Sequence, residues 1–148
     1  MTDVPVTATL LGLEPHPEGG WFRRTWTAGT TVDTAGGPRP TATGIHYLLT
    51  PGQSSAWHVV TSDELWLWHG PGALHLLVGG DGEYPFPDNE ARVVTLGPQL
   101  GAGHVAQFLI PAHTWQSARL AGDHEVLVSC IVSPGFSFAD WRLAQEPL

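Results

Sequence analysis

The chain has no lysine; its six basic residues are all arginine. An internal Schiff base and a phosphate-loop lysine are therefore excluded. With them go pyridoxal-phosphate enzymes and P-loop nucleotide hydrolases. Charged residues are sparse, at 14% of the chain, and mostly acidic, for a formal net charge of -8. That balance lacks the basic footprint of a protein that binds nucleic acid or docks on anionic membranes. The single cysteine, Cys130, allows no intramolecular disulfide and fits a reducing compartment. No apolar run reaches membrane-spanning length. Met1 to Leu13 lacks the basic-then-apolar order of a signal peptide. A soluble, cytoplasmic protein is expected.

What is present favours strands. Hydrophobic residues make up 42% of 148 residues, enough for one domain with a sizeable core. Val6 to Leu13 can form one short helix, and Glu14-Pro15-His16-Pro17-Glu18-Gly19-Gly20 reads as a turn. Strands are expected over Trp21–Ala28, Thr43–Leu49, Trp57–Val60, Glu64–Trp68, Ala73–Val78, Arg92–Leu96, His104–Ile110, Trp115–Leu120 and Glu125–Val132. Phe136–Leu143 is a candidate last strand, and Gly29–Pro40 reads as a loop. Eighteen glycines and thirteen prolines are spread along the chain as turns. Many short strands between such turns define an all-β sandwich or barrel.

The densest chemistry lies between Gly52 and Gly70, where His58 precedes Glu64 by six residues across the turn Thr61-Ser62-Asp63. Two adjacent strands joined this way can aim an imidazole and a carboxylate into one cavity, to bind a metal, move a proton or hold a polar ligand. On spacing alone, a hydrogen-bonded pair in a barrel core fits equally well. Strand alternation puts Trp66 and Trp68 on the same face as Glu64, where they could wall a cavity or pack a core.

The run Gly52, His58, Glu64, Gly70 resembles the first motif of the cupin superfamily, and Phe108 to Gln116 resembles its second. Four further features occur in register. They are Leu13 to Phe22, Ser62 to Trp66, Pro111-Ala112 with Trp115-Gln116, and Cys130 through Pro134-Gly135-Phe136. Together they resemble cupin family five, whose general function is unassigned. The resemblance covers about Leu10 to Leu143. It implies one cupin domain, residues 1–148 with a core of about 10–143. The implied fold is a double-stranded β-helix, a jelly-roll-like barrel, with a short N-terminal helix. It also implies a homodimer and a likeness to nucleotide-sugar epimerases and plant seed storage proteins.

Metal-binding cupins carry a second histidine two residues after the first, where this chain has Val60. Their second motif ends in a histidine, where this chain has Gln116, and His113 replaces that motif's glycine. Only His58 and Glu64 remain as metal ligands, so no tightly bound metal or other cofactor is expected, and at most a weakly held divalent ion. The expected ligand is a small polar, sugar-like or cyclic metabolite. His58 and Glu64 are the candidate acid–base pair for epimerisation, isomerisation or elimination. Ser55, Trp66, Trp68 and Gln116 are candidate ligand contacts. A non-catalytic binding protein and a metal-dependent oxygenase are the alternatives.

Other polar residues read as structural. Glu18-Gly19-Gly20 is a turn feeding the first strand, and His16, His104 and His124 are expected at the surface. His69 is expected to point outward and His113 to occupy a turn. His46 and His75 read as core or surface residues. Arg23 and Arg24 must point to opposite faces; one of them could reach a ligand carboxylate or phosphate, but an exposed ion pair is the simpler reading. Cys130 reads as a buried, inert thiol.

Overall fold

The computed structural model describes residues 3–144. The outermost residues of the expected domain, 1–2 and 145–148, lie outside the described residues. Among the described residues one α-helix, α1 (Val6–Leu11), is followed by thirteen strands. A six-stranded sheet runs in the order β1 (Glu14–Pro15), β2 (Trp21–Thr27), β5 (Thr43–Leu49), β12 (Val126–Ser133), β7 (Asp63–Pro71), β10 (Gln107–Ile110). A five-stranded sheet runs β13 (Trp141–Leu143), β6 (Ser54–Val60), β11 (Gln116–Leu120), β8 (Leu74–Val78), β9 (Arg92–Leu96). From β5 onward the chain crosses from one sheet to the other at every connection except β8 to β9. That winding is the double-stranded β-helix. Among the described residues no helix is long and apolar enough to cross a membrane.

The expected strands form, with boundary shifts of a few residues. Two expectations fail. The segment read as a loop folds into a small hairpin, β3 (Thr31–Thr34) with β4 (Gly37–Pro40). Threonine and valine favour extended backbone there despite the glycines and prolines, because a two-stranded ribbon is all edge and tolerates proline. The last candidate strand shortens to β13, preceded by a turn of 3-10 helix, Phe138–Asp140.

Period-two alternation explains the core. β8, β12 and β7 send Leu74, Leu76, Val126, Val128 and Trp66 inward, closing one end of the interior with apolar side chains. Helix α1 covers the outside of the six-stranded sheet, where Ala8 and Leu13 bury Trp21 and Leu48. Burial of this kind stabilises by about 25 cal/mol per Å² of apolar surface.

The turn before β2 is held against β6. The Ala56 N–H donates to the Glu18 carbonyl at 2.7 Å, and the Tyr47 hydroxyl donates to the Gly19 carbonyl. Gly19 has φ +106°, and an added Cβ there would overlap the Ser54 carbonyl oxygen. Only glycine tolerates both demands. Gly19→Ala is therefore expected to cost about 2–4 kcal/mol in urea unfolding. Gly29→Ala, which meets nothing within 4 Å, should change stability by less than about 0.5 kcal/mol. Equal effects would refute the close approach.

Candidate functional site

One end of the interior stays open as a cavity of about 290 Å³. Tyr47, Trp66 and Cys130 are almost fully buried and form its deep part, while the exposed Phe138 and Arg24 mark its mouth. His58 and Glu64 both line it. They lie on consecutive strands, but β6 and β7 belong to different sheets. The two strands are not paired neighbours, as the spacing suggested. They face each other across the sandwich, because the turn Thr61-Ser62 carries the chain over.

Glu64 sits on a hydrogen-bonded chain. Its Oε1 accepts from Gln116 Nε2 at 2.7 Å, and Gln116 Oε1 accepts from Trp66 Nε1 at 2.8 Å. Burial pushes the Glu64 carboxyl up to about 7; nearby His58 opposes this, and the Glu18 charge adds to it. The deep wall also holds the Cys130 thiol, which burial, with the Glu64 charge behind it, pushes well up. Cys130 therefore stays a protonated, inert thiol.

His58 Nδ1 lies 2.7 Å from the Ala56 carbonyl, which can only accept, so Nδ1 carries a proton. Its Nε2 lies 3.3 Å from Glu18 Oε2, and the same oxygen accepts from Trp141 Nε1 at 3.2 Å. His16 closes the group. Its Nδ1 accepts from the Glu18 backbone N–H at 3.1 Å, leaving the proton on Nε2. Burial holds His16 below the usual histidine range, against the raising effect of Glu18.

Five expectations change here. Glu18 lines the cavity, and His16 is buried beside it, because the Gly19-Gly20 turn packs against the backbone of β5 and β6 instead of standing out in water. Gln116 is inward and buried, yet it stands behind Glu64 with both amide ends engaged and does not line the cavity. Trp68 shares the Glu64 face but lies four residues further along the strand, packed on the apolar end with Nε1 donating to the Gly72 carbonyl. Ser55 is buried outside the cavity lining, and its hydroxyl has no hydrogen-bond partner among the described residues. The signal for Glu18 was the glycine pair itself, which permits close backbone approach. Proline and glycine around it made the segment look solvent-exposed.

The remaining histidines stay outside the cavity. His69 is exposed against Ser129 at 2.6 Å, and His46 packs edge-on to it from the outer face. His75 meets Thr95 at 3.0 Å. His113 is exposed in a turn with φ 64°. His124 is exposed, whereas His104 is half-buried, its ring packed over Gly97 and its Nδ1 accepting from the Gln99 N–H.

The donor set does not suit a cupin metal. Val60 offers no donor, Gln116 is engaged through both amide atoms, and His58 Nε2 faces Glu18. Among the described residues no group of three or more His, Cys, Asp or Glu side chains could hold a metal ion.

Comparison with known proteins agrees with this fold. Residues 7–144 match the family described as Cupin superfamily (DUF985), and the chain belongs to it. A solved protein from Shewanella oneidensis is 33% identical, with a TM-score of 0.82 over 97% of this chain and 85% of that one. An uncharacterized protein of Saccharomyces cerevisiae is 28% identical over 142 residues, which is 84% of this chain and 67% of the relative. A dTDP sugar isomerase from Desulfovibrio desulfuricans, 17% identical, has a TM-score of 0.57 over 84% of this chain and 83% of that one. That likeness is one of fold alone.

The Glu64 carboxyl has a measurable consequence. Between the ordinary 4.5 and the folded value of about 7, the folded chain keeps a proton that the unfolded chain has released. Stability is therefore greatest below this window and falls as pH rises through it, by about 3 kcal/mol. Glu64→Gln has no such proton. Its urea stability relative to the parent should rise by about that amount between roughly pH 5 and pH 8. A constant difference across that range would show that Glu64 titrates normally.

Proposed function

We propose that the cavity takes a small polar or sugar-like cyclic metabolite and moves a proton on it, as an epimerase, isomerase or lyase does. One observation carries this reading. A carboxyl that changes protonation near neutral pH and an imidazole with a fixed tautomer enter one enclosed space from opposite sheets. Groups on opposite walls suit inversion at a carbon acid. Glu64, as carboxylate, removes a proton from one side, and protonated His58 returns from the other the Nε2 proton it shares with Glu18. No oxidant or reductant is needed. Glu18 is a positioning residue, orienting His58 through the contact between its Oε2 and His58 Nε2. The dTDP sugar isomerase lends support only through the shared fold. A homodimer belongs to the same reading.

The test is proton exchange. A panel of small carbon acids, including sugar-like and cyclic ones, is incubated with the protein in D2O and followed by NMR. Deuterium should enter one C–H of the accepted compound. Glu64→Gln should abolish exchange while leaving affinity within about tenfold, roughly 1.4 kcal/mol. Exchange that survives in Glu64→Gln would remove Glu64 from the chemistry. Binding without exchange would make this a ligand-binding protein.

Light scattering should return the mass of two chains; a monomer at micromolar concentration would sink the dimer.

A further inference from the structure

The cavity carries its negative and positive groups at different depths. Glu18 and Glu64 are buried within it, and one cation, Arg24, lines its exposed rim. The other arginines are engaged elsewhere. Arg39 and Arg119 pair with Asp140 and Asp88, and Arg92 and Arg142 lie over the rings of Phe108 and Trp115. Arg23 points to the other face of β2, against Gly12. Among the described residues Arg24 has no carboxylate within ion-pair distance; its Nη2 donates to the Phe136 carbonyl at 2.9 Å. That bond holds the guanidinium at the mouth and leaves further N–H groups free.

The local backbone favours this placement. β2 and β5 slip register between Arg24 and Trp26, so Arg24 opposes Ile45 and Trp26 opposes Gly44. The extra residue, Thr25, turns Trp26 to the outer face, and Arg24 is the last residue of its strand that lines the cavity. Bulges beside sites commonly re-aim side chains in this way.

We propose that Arg24 is the recognition residue of this cavity, and that the ligand is compact and carries one oxyanion, a carboxylate or a monophosphate, on an apolar body. The proposal rests on the cavity being the ligand site. A guanidinium matches either oxyanion through paired N–H donors. Between Arg24 and the buried acids the walls are apolar, with Phe22, Ile45, Val132 and Phe138 among them. About 290 Å³ is at the small end for ligand sites. One guanidinium in a chain without lysine is a poor match for a nucleoside diphosphate. The geometry therefore points away from nucleotide sugars, although the fold is shared with a protein that acts on one.

The test uses quenching of Trp66 and Trp141 fluorescence by benzoate, phenyl phosphate, neutral benzamide and thymidine diphosphate. At least one of the first two should bind about tenfold or more tightly than benzamide. Arg24→Gln should erase that preference by weakening the anion and leaving benzamide unchanged. Arg23→Gln should alter neither. Whichever of benzoate and phenyl phosphate wins assigns the oxyanion. The proposal is overturned if benzamide binds as well as the anions, if Arg24→Gln keeps the preference, or if thymidine diphosphate binds most tightly. Failure of both monoanions to bind at millimolar concentration overturns it too. Glu64→Gln should retain the Arg24-dependent preference, so loss of the proton-transfer reading would leave this result standing.

Discussion

A single polar chain across the interior, Trp66 to Gln116 to Glu64, sets the arrangement of the site. Gln116 belongs to the five-stranded sheet and its two partners to the six-stranded one. A glutamine amide offers a donor at one end and an acceptor at the other, so it can satisfy a carboxyl and an indole at once. Each of these groups is buried, and each would be costly without its partner. The bridge therefore fixes where the two sheets meet and which way Glu64 points. It also marks a boundary, with apolar packing on one side and the open cavity on the other.

The second determinant is the turn before β2. Glu18 reaches the cavity because Gly19 and Gly20 adopt positive φ and lie against neighbouring backbone. Its carboxylate then gathers His58 and Trp141 around one oxygen, with His16 buried alongside. The site thus draws on the N-terminal turn, the two central strands and the C-terminal segment. Such a site forms only when the whole β-helix has closed.

The chemistry follows from scarcity of polar groups. In a mostly apolar cavity a carboxyl loses hydration that one hydrogen bond does not replace, and its affinity for protons rises. Acid–base work near neutral pH needs that shift. The same apolar walls separate the buried acids from Arg24, so opposite charges at the two depths can meet opposite ends of one molecule. The family shares a fold that hosts many activities, and the residues, not the fold, define what this cavity can accept.

The strands, the inward phase of His58, Glu64 and Trp66, and the missing metal donors at Val60 and Gln116 were all legible in the sequence. They depend on period-two alternation and on residue chemistry, which are local. Strand phase also put Gln116 inward, but it could not say that Glu64 and Trp66 would use both ends of its amide. Nor could it separate Trp66, at the cavity, from Trp68, in the packed end; both share one face, and depth along a strand is a property of the closed barrel. Glu18 and His16 were hidden for a different reason. Proline- and glycine-rich turns usually face water, and only long-range pairing of that turn with β6 brings this one inside. The sequence by itself determined which side chains could face inward and which chemistry they lacked. The tertiary structure alone decided which of them meet, because distances between sheets and the folding of a turn onto a distant strand are not encoded in local periodicity.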